Sequence, residues 1–256
     1  MQRLEELQFD NIYATLPTIF YSRHQPAALD NQFLIHFNKT VADMLGIDPG
    51  EAGRQDLVDL LTMNKPMRGF EPIAMCYAGH QFGQYVPRLG DGRAILLGQL
   101  LGEDNRRWDL QLKGAGRTLY SRQGDGKAVL RSTIREHLCS AAMHGLGIPT
   151  THSLAMFGSD EEVYRERIET GAMLIRVAPS HIRFGSFEYF FYTQRHDDLK
   201  TLADFTLQHY FPELSRDKEG YLGLLIKAIE STAALIASWQ SVGFCHGVMN
   251  SDNMSI

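Results

Sequence analysis

The spacing of apolar residues changes along the chain, from mostly strand-like over the first 180 residues to helix-like after residue 186. Short apolar or alternating runs predict strands at 33–38, 94–101, 108–113, 153–157, 162–167 and 172–178. Helices are predicted at 41–46, at 56–61, and over 128–144, where apolar residues stand at 130, 134, 138, 141 and 142. The strongest helix prediction is 221–242, which contains no proline and precedes Gly243.

The order of these elements predicts the fold class. A β-rich part that contains one long helix, followed by a helical part, indicates an α+β protein. We expect an N-terminal segment at 1–70, a β-rich lobe at 71–180 and the beginning of a helical lobe at 181–256. A polar turn at 102–106 is expected to join the two strands at 94–101 and 108–113 into a hairpin.

Composition narrows the class of protein. The chain of 256 residues is 44% hydrophobic, which is enough for a substantial core. A formal charge of −5 and a pI near 6.0 argue against a nucleic-acid binder, which needs a basic surface. With no uninterrupted run of about 18 apolar residues and no apolar leader, we expect neither a membrane segment nor a signal peptide. Three widely spaced cysteines favour a reducing, cytoplasmic location, and Cys245 is expected to be buried.

The most informative motif follows the last predicted helix and runs His246-Gly-Val-Met-Asn-Ser-Asp-Asn253. A protein kinase has His-Arg-Asp and, after four further residues, Asn in its catalytic loop, with Asp as base and Asn on magnesium. His246 and Asn253 occupy the first and last positions of that pattern, but Val248 stands where the base belongs. Asp252 offers a carboxylate beside Asn253, although a capping turn is the alternative. With the element order, the loop predicts a kinase-like fold whose chemistry differs from that of kinases.

Two charged residues of the β-rich lobe fit the same pattern. Lys113 ends a predicted strand, where kinases place the lysine that binds nucleotide phosphates, and Glu136 follows on the predicted helix 128–144. An ion pair between them would orient the ammonium group toward phosphate. Each residue alone is as well explained by a solvated side chain, but their order relative to the loop favours the pair.

Glycines near the first strand of the hairpin are further candidates. Gly90 and Gly92, which precede Arg93, would let backbone N–H groups approach an anion. Asp125 and Gly126 have the same interpretation, and ordinary turns are the alternative for both pairs.

Two arginines complete the set of candidates. Arg176 lies in an otherwise apolar predicted strand, and Arg183 follows it. The guanidinium groups of both would donate N–H hydrogen bonds to phosphate oxygens. Structural salt bridges are the alternative. His80 and Gln81, in a segment rich in glycine and aromatic residues, are expected to have a core or turn role.

Five segments together resemble the SelO (selenoprotein O, or YdiU) family: Tyr77-Ala-Gly-His-Gln-Phe-Gly83, Arg88-Leu-Gly-Asp-Gly-Arg93, Gln111-Leu-Lys-Gly-Ala-Gly-Arg117, Arg131-Ser-Thr-Ile-Arg-Glu136 and His246-Gly-Val-Met-Asn250. The resemblance implies a protein-kinase-like fold with a flipped nucleotide and a protein adenylyltransferase activity. Such an enzyme transfers AMP from ATP, or UMP from UTP, to Ser, Thr or Tyr hydroxyls of proteins, with Mg²⁺ or Mn²⁺. The resemblance also implies that neither a nucleic acid nor a membrane is a partner.

The resemblance also implies roles by position. Asp252 would accept the proton and Asn253 would bind the metal ion, while the nucleotide would contact Gly90, Gly92, Arg93, Lys113, Asp125, Gly126, Arg176 and Arg183. It covers about half of a typical family member, and a further metal-binding aspartate is expected beyond Ile256. An inactive nucleotide-binding pseudokinase fragment and an atypical kinase are therefore the alternatives.

Overall fold

A computed structural model describes residues 1–102 and 106–256 of the chain, and the chain divides into two compact units. The first unit comprises residues 1–76 and 90–181, and the second comprises residues 77–89 and 182–256. Antiparallel strands and helices make up the described residues, which confirms the α+β class. Part of the predicted turn at 102–106 lies outside them. The lobe boundaries at 70 and 180 stay a prediction.

The strands differ in length, and the two longest come last in the chain. In chain order they are β1 (Tyr21–Arg23), β2 (Phe33–Phe37), β3 (Ile73–Met75), β4 (Gly79–Gln81), β5 (Gln84–Val86), β6 (Ala94–Leu101), β7 (Arg107–Lys113), β8 (Ala128–Val129), β9 (His152–Tyr164) and β10 (Ile168–Ala178). Strands β4 and β5 form a hairpin in the second unit. The others form one sheet in the first unit, in the order β1-β3-β6-β7-β10-β9-β2, and β8 pairs with β10.

Most strand predictions are confirmed, including the antiparallel pairing of 94–101 with 108–113. Residues 153–157 form a strand as predicted, but the separation from a second strand at 162–167 is wrong, because β9 runs without interruption from His152 to Tyr164. Gly158 suits this long strand, since a Cβ there would lie 2.6 Å from the ring of Phe33 on β2. This glycine therefore marks a close approach of two strands.

Strand β7 separates two environments within the first unit. Trp108, Leu110 and Leu112 belong to the hydrophobic core. Because side chains alternate across a strand, Asp109, Gln111 and Lys113 lie on the opposite face, and all three are buried. Burying polar side chains requires partners for them, so this face carries an organised polar network.

The helices of the first unit are α1 (Lys39–Met44), α2 (Leu57–Leu61) and α3 (Leu130–Gly145), and short 3₁₀ turns lie at Leu4–Glu6, Ile12–Thr15 and Pro49–Gly53. Helix α3 confirms the predicted helix but begins at Leu130, because Ala128 and Val129 pair with β10. It buries Thr133, His137, Ser140 and Met143, and the apolar side chains of Ile134 and Leu138 are exposed. The buried polar side chains are satisfied: for example, His137 Nδ1 lies 2.8 Å from Ser153 Oγ.

The second unit contains α4 (Phe184–Tyr192), α5 (His196–Tyr210) and α6 (Lys218–Ser241). Asp217 caps α6 by accepting hydrogen bonds from the N–H groups of Glu219 and Gly220. The predicted helix is confirmed, but Gly220 and Leu224 are its buried residues and most of its apolar side chains are exposed. By length and composition alone α6 is apolar enough to cross a membrane, but a single such helix is weak evidence, so the expectation of no membrane segment stays a prediction. Cys245 beyond it is exposed, contrary to expectation, because 243–249 lies on the surface.

Candidate functional site

The first unit contains a cluster of two cations that share one carboxylate. The ammonium group of Lys113 pairs with Glu136 Oε2, which confirms the predicted ion pair. Arg176 Nε donates to Glu136 Oε1 at 2.6 Å, and its Nη1 donates to Gln111 Oε1 at 3.1 Å. The register of the sheet explains this arrangement, because Arg176 lies opposite Gln111 and two residues along β7 from Lys113. Helix α3 supplies the carboxylate from above the sheet.

Burial makes the charges of this cluster interact strongly. The side chain of Lys113 is 10% exposed, that of Arg176 is 20% exposed and that of Glu136 is 27% exposed. Burial and the nearby Arg176 guanidinium lower the pKa of Lys113 to about 8, against the attraction of Glu136. Burial opposes ionisation of Glu136, but Arg176 and Lys113 outweigh it and lower its pKa to about 2. Two positive charges and one negative charge leave an excess of one positive charge, which a bound anion would neutralise.

The polar network continues from this cluster to the predicted glycine turn. Gln111 Nε2 donates to Asp91 Oδ2 at 3.4 Å, and the same oxygen accepts from the N–H of Met75 at 3.1 Å. Asp91, which is 2% exposed, therefore anchors the turn between Gly90 and Gly92 to the sheet. A Cβ at Gly90 would lie 2.3 Å from the Tyr120 ring, so the turn also depends on the absence of a side chain there.

Two further predicted residues, Arg93 and Asp125, differ in their relation to the Lys113 cluster. Arg93 directly precedes Ala94, whose register partner is Lys113, and its side chain is exposed. Asp125 is bound instead by Arg165, whose two terminal nitrogens donate to it at 2.7 and 3.0 Å. No hydrogen bond or ion pair joins Asp125 to the Lys113 cluster within residues 1–102 and 106–256. Gly126 closely approaches the backbone of Gly116, since a Cβ there would lie 2.0 Å from its carbonyl oxygen.

The second unit contains the loop with Asp252. The carboxylate of Asp252 is buried, and its Oδ2 accepts a hydrogen bond from Gln81 Nε2 at 2.9 Å. The described residues offer no hydrogen-bond partner to its Oδ1, which is also buried. Arg183 Nη1 donates to the backbone carbonyl of Asp252 at 2.6 Å, and the guanidinium lies 4.8 Å from the centre of the Tyr77 ring. Arg183 thus contacts the loop that carries Asp252.

Sequence analysis missed the contribution of the β4–β5 hairpin to this loop. The N–H of His80 donates to Ser251 Oγ at 2.8 Å, and the N–H of Phe82 donates to Asn250 Oδ1 at 3.1 Å. A Cβ at Gly79 would lie 2.8 Å from Asp252 Cβ, so the hairpin backbone packs directly on that side chain. The motif at 77–83 was visible in the sequence, but nothing in it indicated a contact with residues about 170 positions later.

Helix α4 ties the loop and the hairpin together through Glu188. Ser251 Oγ donates to Glu188 Oε2 at 2.7 Å, and His80 Nδ1 lies 3.1 Å from Glu188 Oε1. The His80 ring also lies against the Tyr192 ring, with centroids 5.5 Å apart. His80 therefore has a bridging role that the sequence did not indicate.

The oxygen ligands that this loop offers a metal ion are few. No group of three or more His, Cys, Asp or Glu residues with metal-binding geometry occurs in the described part of the chain. Asn253 is exposed, and its Nδ2 donates to the carbonyl of Val248 at 3.3 Å. Its amide oxygen suits Mg²⁺ or Mn²⁺, because such ions need few protein oxygens when phosphates and water complete the shell.

Comparisons with known proteins place these residues in a family context. The model of the family described as protein adenylyltransferase SelO matches residues 3–256. The chain is 54% identical over its whole length to the protein nucleotidyltransferase YdiU of Thioalkalivibrio sulfidiphilus, covering 52% of that protein. It is 54% identical to the protein of the same name from Myxococcus xanthus, covering 52% of it, and 52% identical to that of Photobacterium profundum, covering 53%. In each case all of this chain is matched, and it spans about half the length of the relative.

Proposed function

Because the chain belongs to the SelO family of protein adenylyltransferases, we propose that it supplies the phosphate-binding and proton-accepting residues of a protein nucleotidyltransferase. The reaction transfers AMP from ATP, or UMP from UTP, to a Ser, Thr or Tyr hydroxyl of a protein. The assignment of roles to individual residues is part of this proposal.

The observation that carries the proposal is the cluster in which Lys113 and Arg176 share Glu136. A half-buried site with an excess positive charge favours a multivalent anion, and a triphosphate meets that requirement. The glycine turn at Gly90 and Gly92, joined to the cluster through Asp91 and Gln111, adds backbone N–H groups near the same strands.

The sheet order supports a kinase-like fold for the first unit. Lys113 lies at the end of β7, the helix α3 that follows carries Glu136, and β9 and β10 then complete the antiparallel path β3-β6-β7-β10-β9. A strand lysine paired with a helix glutamate is the arrangement that kinases use to hold nucleotide phosphates.

In the proposed reaction an acceptor hydroxyl oxygen attacks the α-phosphorus of ATP. A bond forms between that oxygen and phosphorus, the bond between the α-phosphorus and the oxygen that bridges to the β-phosphate breaks, and pyrophosphate leaves. Asp252 accepts the hydroxyl proton, while Lys113 and Arg176 bind phosphate oxygens as negative charge shifts to the leaving group. Arg183 holds the Asp252 backbone and adds positive charge beside it.

A divalent metal ion would supply charge neutralisation and orient the phosphates. Of the described residues, Asn253 would hold it through its amide oxygen, and phosphate oxygens and water would complete the shell. Mg²⁺ and Mn²⁺ are the candidates.

The test compares ATP labelled with ³²P at the α position with ATP labelled at the γ position, with a protein acceptor present. Adenylyl transfer puts the α-label and not the γ-label on protein. An atypical kinase gives the opposite result and refutes the proposal. Incubation with UTP labelled with ³²P at the α position decides whether UMP is transferred.

An inactive nucleotide-binding module is the second candidate. Two observations favour it: the chain spans about half the length of its relatives, and the hairpin covers Asp252, which is 8% exposed. This candidate predicts that ATP raises the melting temperature and that neither label is transferred.

A further inference from the structure

The β4–β5 hairpin makes three successive contacts with three successive loop residues. His80, Gln81 and Phe82 donate hydrogen bonds to Ser251, Asp252 and Asn250, respectively. The contacts of His80 and Phe82 use backbone N–H groups, which any residue type would supply. The contact of Gln81 uses its side chain, so its residue type matters.

We propose that Gln81 is a positioning residue that holds Asp252 for proton transfer, an inference that rests on the proposed function. The Gln81 amide donates to Oδ2 and so restricts rotation of the carboxylate. Oδ1, which has no partner within the described residues, is then the oxygen that accepts the proton.

The anchoring of the hairpin makes this position rigid. Glu188 on α4 accepts from Ser251 Oγ and pairs with His80, the residue before Gln81. Gly79 permits the hairpin backbone to lie against Asp252, since a Cβ there would be 2.9 Å from Oδ1. A side chain fixed through both its own strand and the loop loses little additional freedom on contacting the carboxylate.

The hairpin contains its own matched control. Gln84 is the register partner of Gln81, has the same side chain and is exposed, with no hydrogen bond to the loop in the described part of the chain. Gln81→Ala and Gln84→Ala therefore remove the same atoms from the same hairpin. Only Gln81→Ala removes a contact with Asp252.

The first measurement does not depend on activity. In protein labelled with ¹³C at Asp carboxyl groups, the Asp252 resonance is assigned by its loss in Asp252→Asn. We expect it to shift in Gln81→Ala and to keep its position in Gln84→Ala. An unchanged resonance in Gln81→Ala overturns the proposal, whatever the activity of the chain.

The second measurement is the rate of α-label transfer. Gln81→Ala is expected to lower kcat roughly 10-fold, the loss that corresponds to one hydrogen bond, while the KM for ATP stays within about twofold. A wild-type chain that transfers no label refutes the proposed function for this chain, and the resonance then decides the role of Gln81. An active Gln81→Ala with unaltered kcat overturns the positioning role alone.

Discussion

The Lys113 cluster and the Asp252 loop stabilise a charged group by different means. In the first unit Lys113 and Arg176 both form ion pairs with Glu136. Oppositely charged groups therefore stabilise one another, and one positive charge remains in excess. In the second unit Asp252 contacts the neutral amide of Gln81. The difference indicates that the first region is suited to binding an anion, whereas the second holds a carboxylate in position through a neutral hydrogen-bond donor. Substitutions that change anion binding and the Asp252 carboxylate separately test the comparison.

The largest effects are expected at Lys113 and Asp252, because the first is proposed to bind ATP and the second to accept the proton. Lys113→Met should weaken ATP binding and lower transfer by about 10²–10³-fold, since a phosphate-binding cation is lost. Asp252→Asn should lower transfer by a similar factor but leave the Kd for ATP within about twofold. Titration calorimetry and α-label transfer measure the two quantities. If Asp252→Asn weakens ATP binding as much as Lys113→Met does, the division of roles is wrong.

The next effect concerns stability. Glu136→Gln leaves Lys113 and Arg176 half-buried without their carboxylate and should reduce the free energy of unfolding by about 3 kcal/mol. The matched control is Glu71→Gln, which removes the partner of the exposed Arg23 and should leave the urea midpoint unchanged. A bound triphosphate should recover part of the loss in Glu136→Gln. Equal midpoints for the two variants would contradict the excess-charge argument.

A smaller effect is expected from Gly79→Ala in the second region. The added Cβ would meet Asp252 Cβ at 2.8 Å, which requires the hairpin or the loop to shift and should cost about 1–2 kcal/mol. Gly145→Ala, at the end of α3, is the control, because nothing lies within 4 Å of its added Cβ. Thermal unfolding measures both. A neutral Gly79→Ala would show that the close packing of the hairpin on Asp252 is not required.

The smallest effect is a pH dependence with opposite signs for binding and stability. Because the pKa of Lys113 is lowered to about 8, its ammonium group is lost from the free protein above that pH. The affinity for ATP should therefore be constant below pH 8 and fall up to about 10-fold by pH 9. The unfolded chain binds more protons between pH 8 and the ordinary lysine value, so stability should rise over the same interval. Calorimetry and urea denaturation at several pH values check both signs, and Lys113→Met should abolish both.

Acid should act on the same cluster through Glu136. Its pKa is lowered from 4.5 to about 2, so the stability it contributes is complete above pH 4.5 and is lost as the pH falls toward 2. Glu136→Gln should flatten this part of the stability profile.

Much of the first unit follows from local pattern. Two predicted strands joined by a polar turn specified the hairpin of 94–101 and 108–113, and the position of Lys113 before the helix with Glu136 specified their ion pair. The β4–β5 hairpin was missed because three-residue strands around Gly83 carry too few side chains to show a period. The full length of β9 was missed because the polar residues at 159–162 interrupt its apolar run, and its pairing with β10 continues through them.

The sequence by itself determined most of the longer elements, the charge pair of the first unit, and the membership of a family, because periodicity and motifs are local properties of the chain. The tertiary structure alone decided that Gln81 contacts Asp252, that α3 buries Thr133, His137 and Ser140, and that α6 exposes most of its apolar side chains. The physical reason is that burial and hydrogen bonding depend on neighbours distant in sequence. A side chain acquires its role from those neighbours, and local pattern contains no record of them.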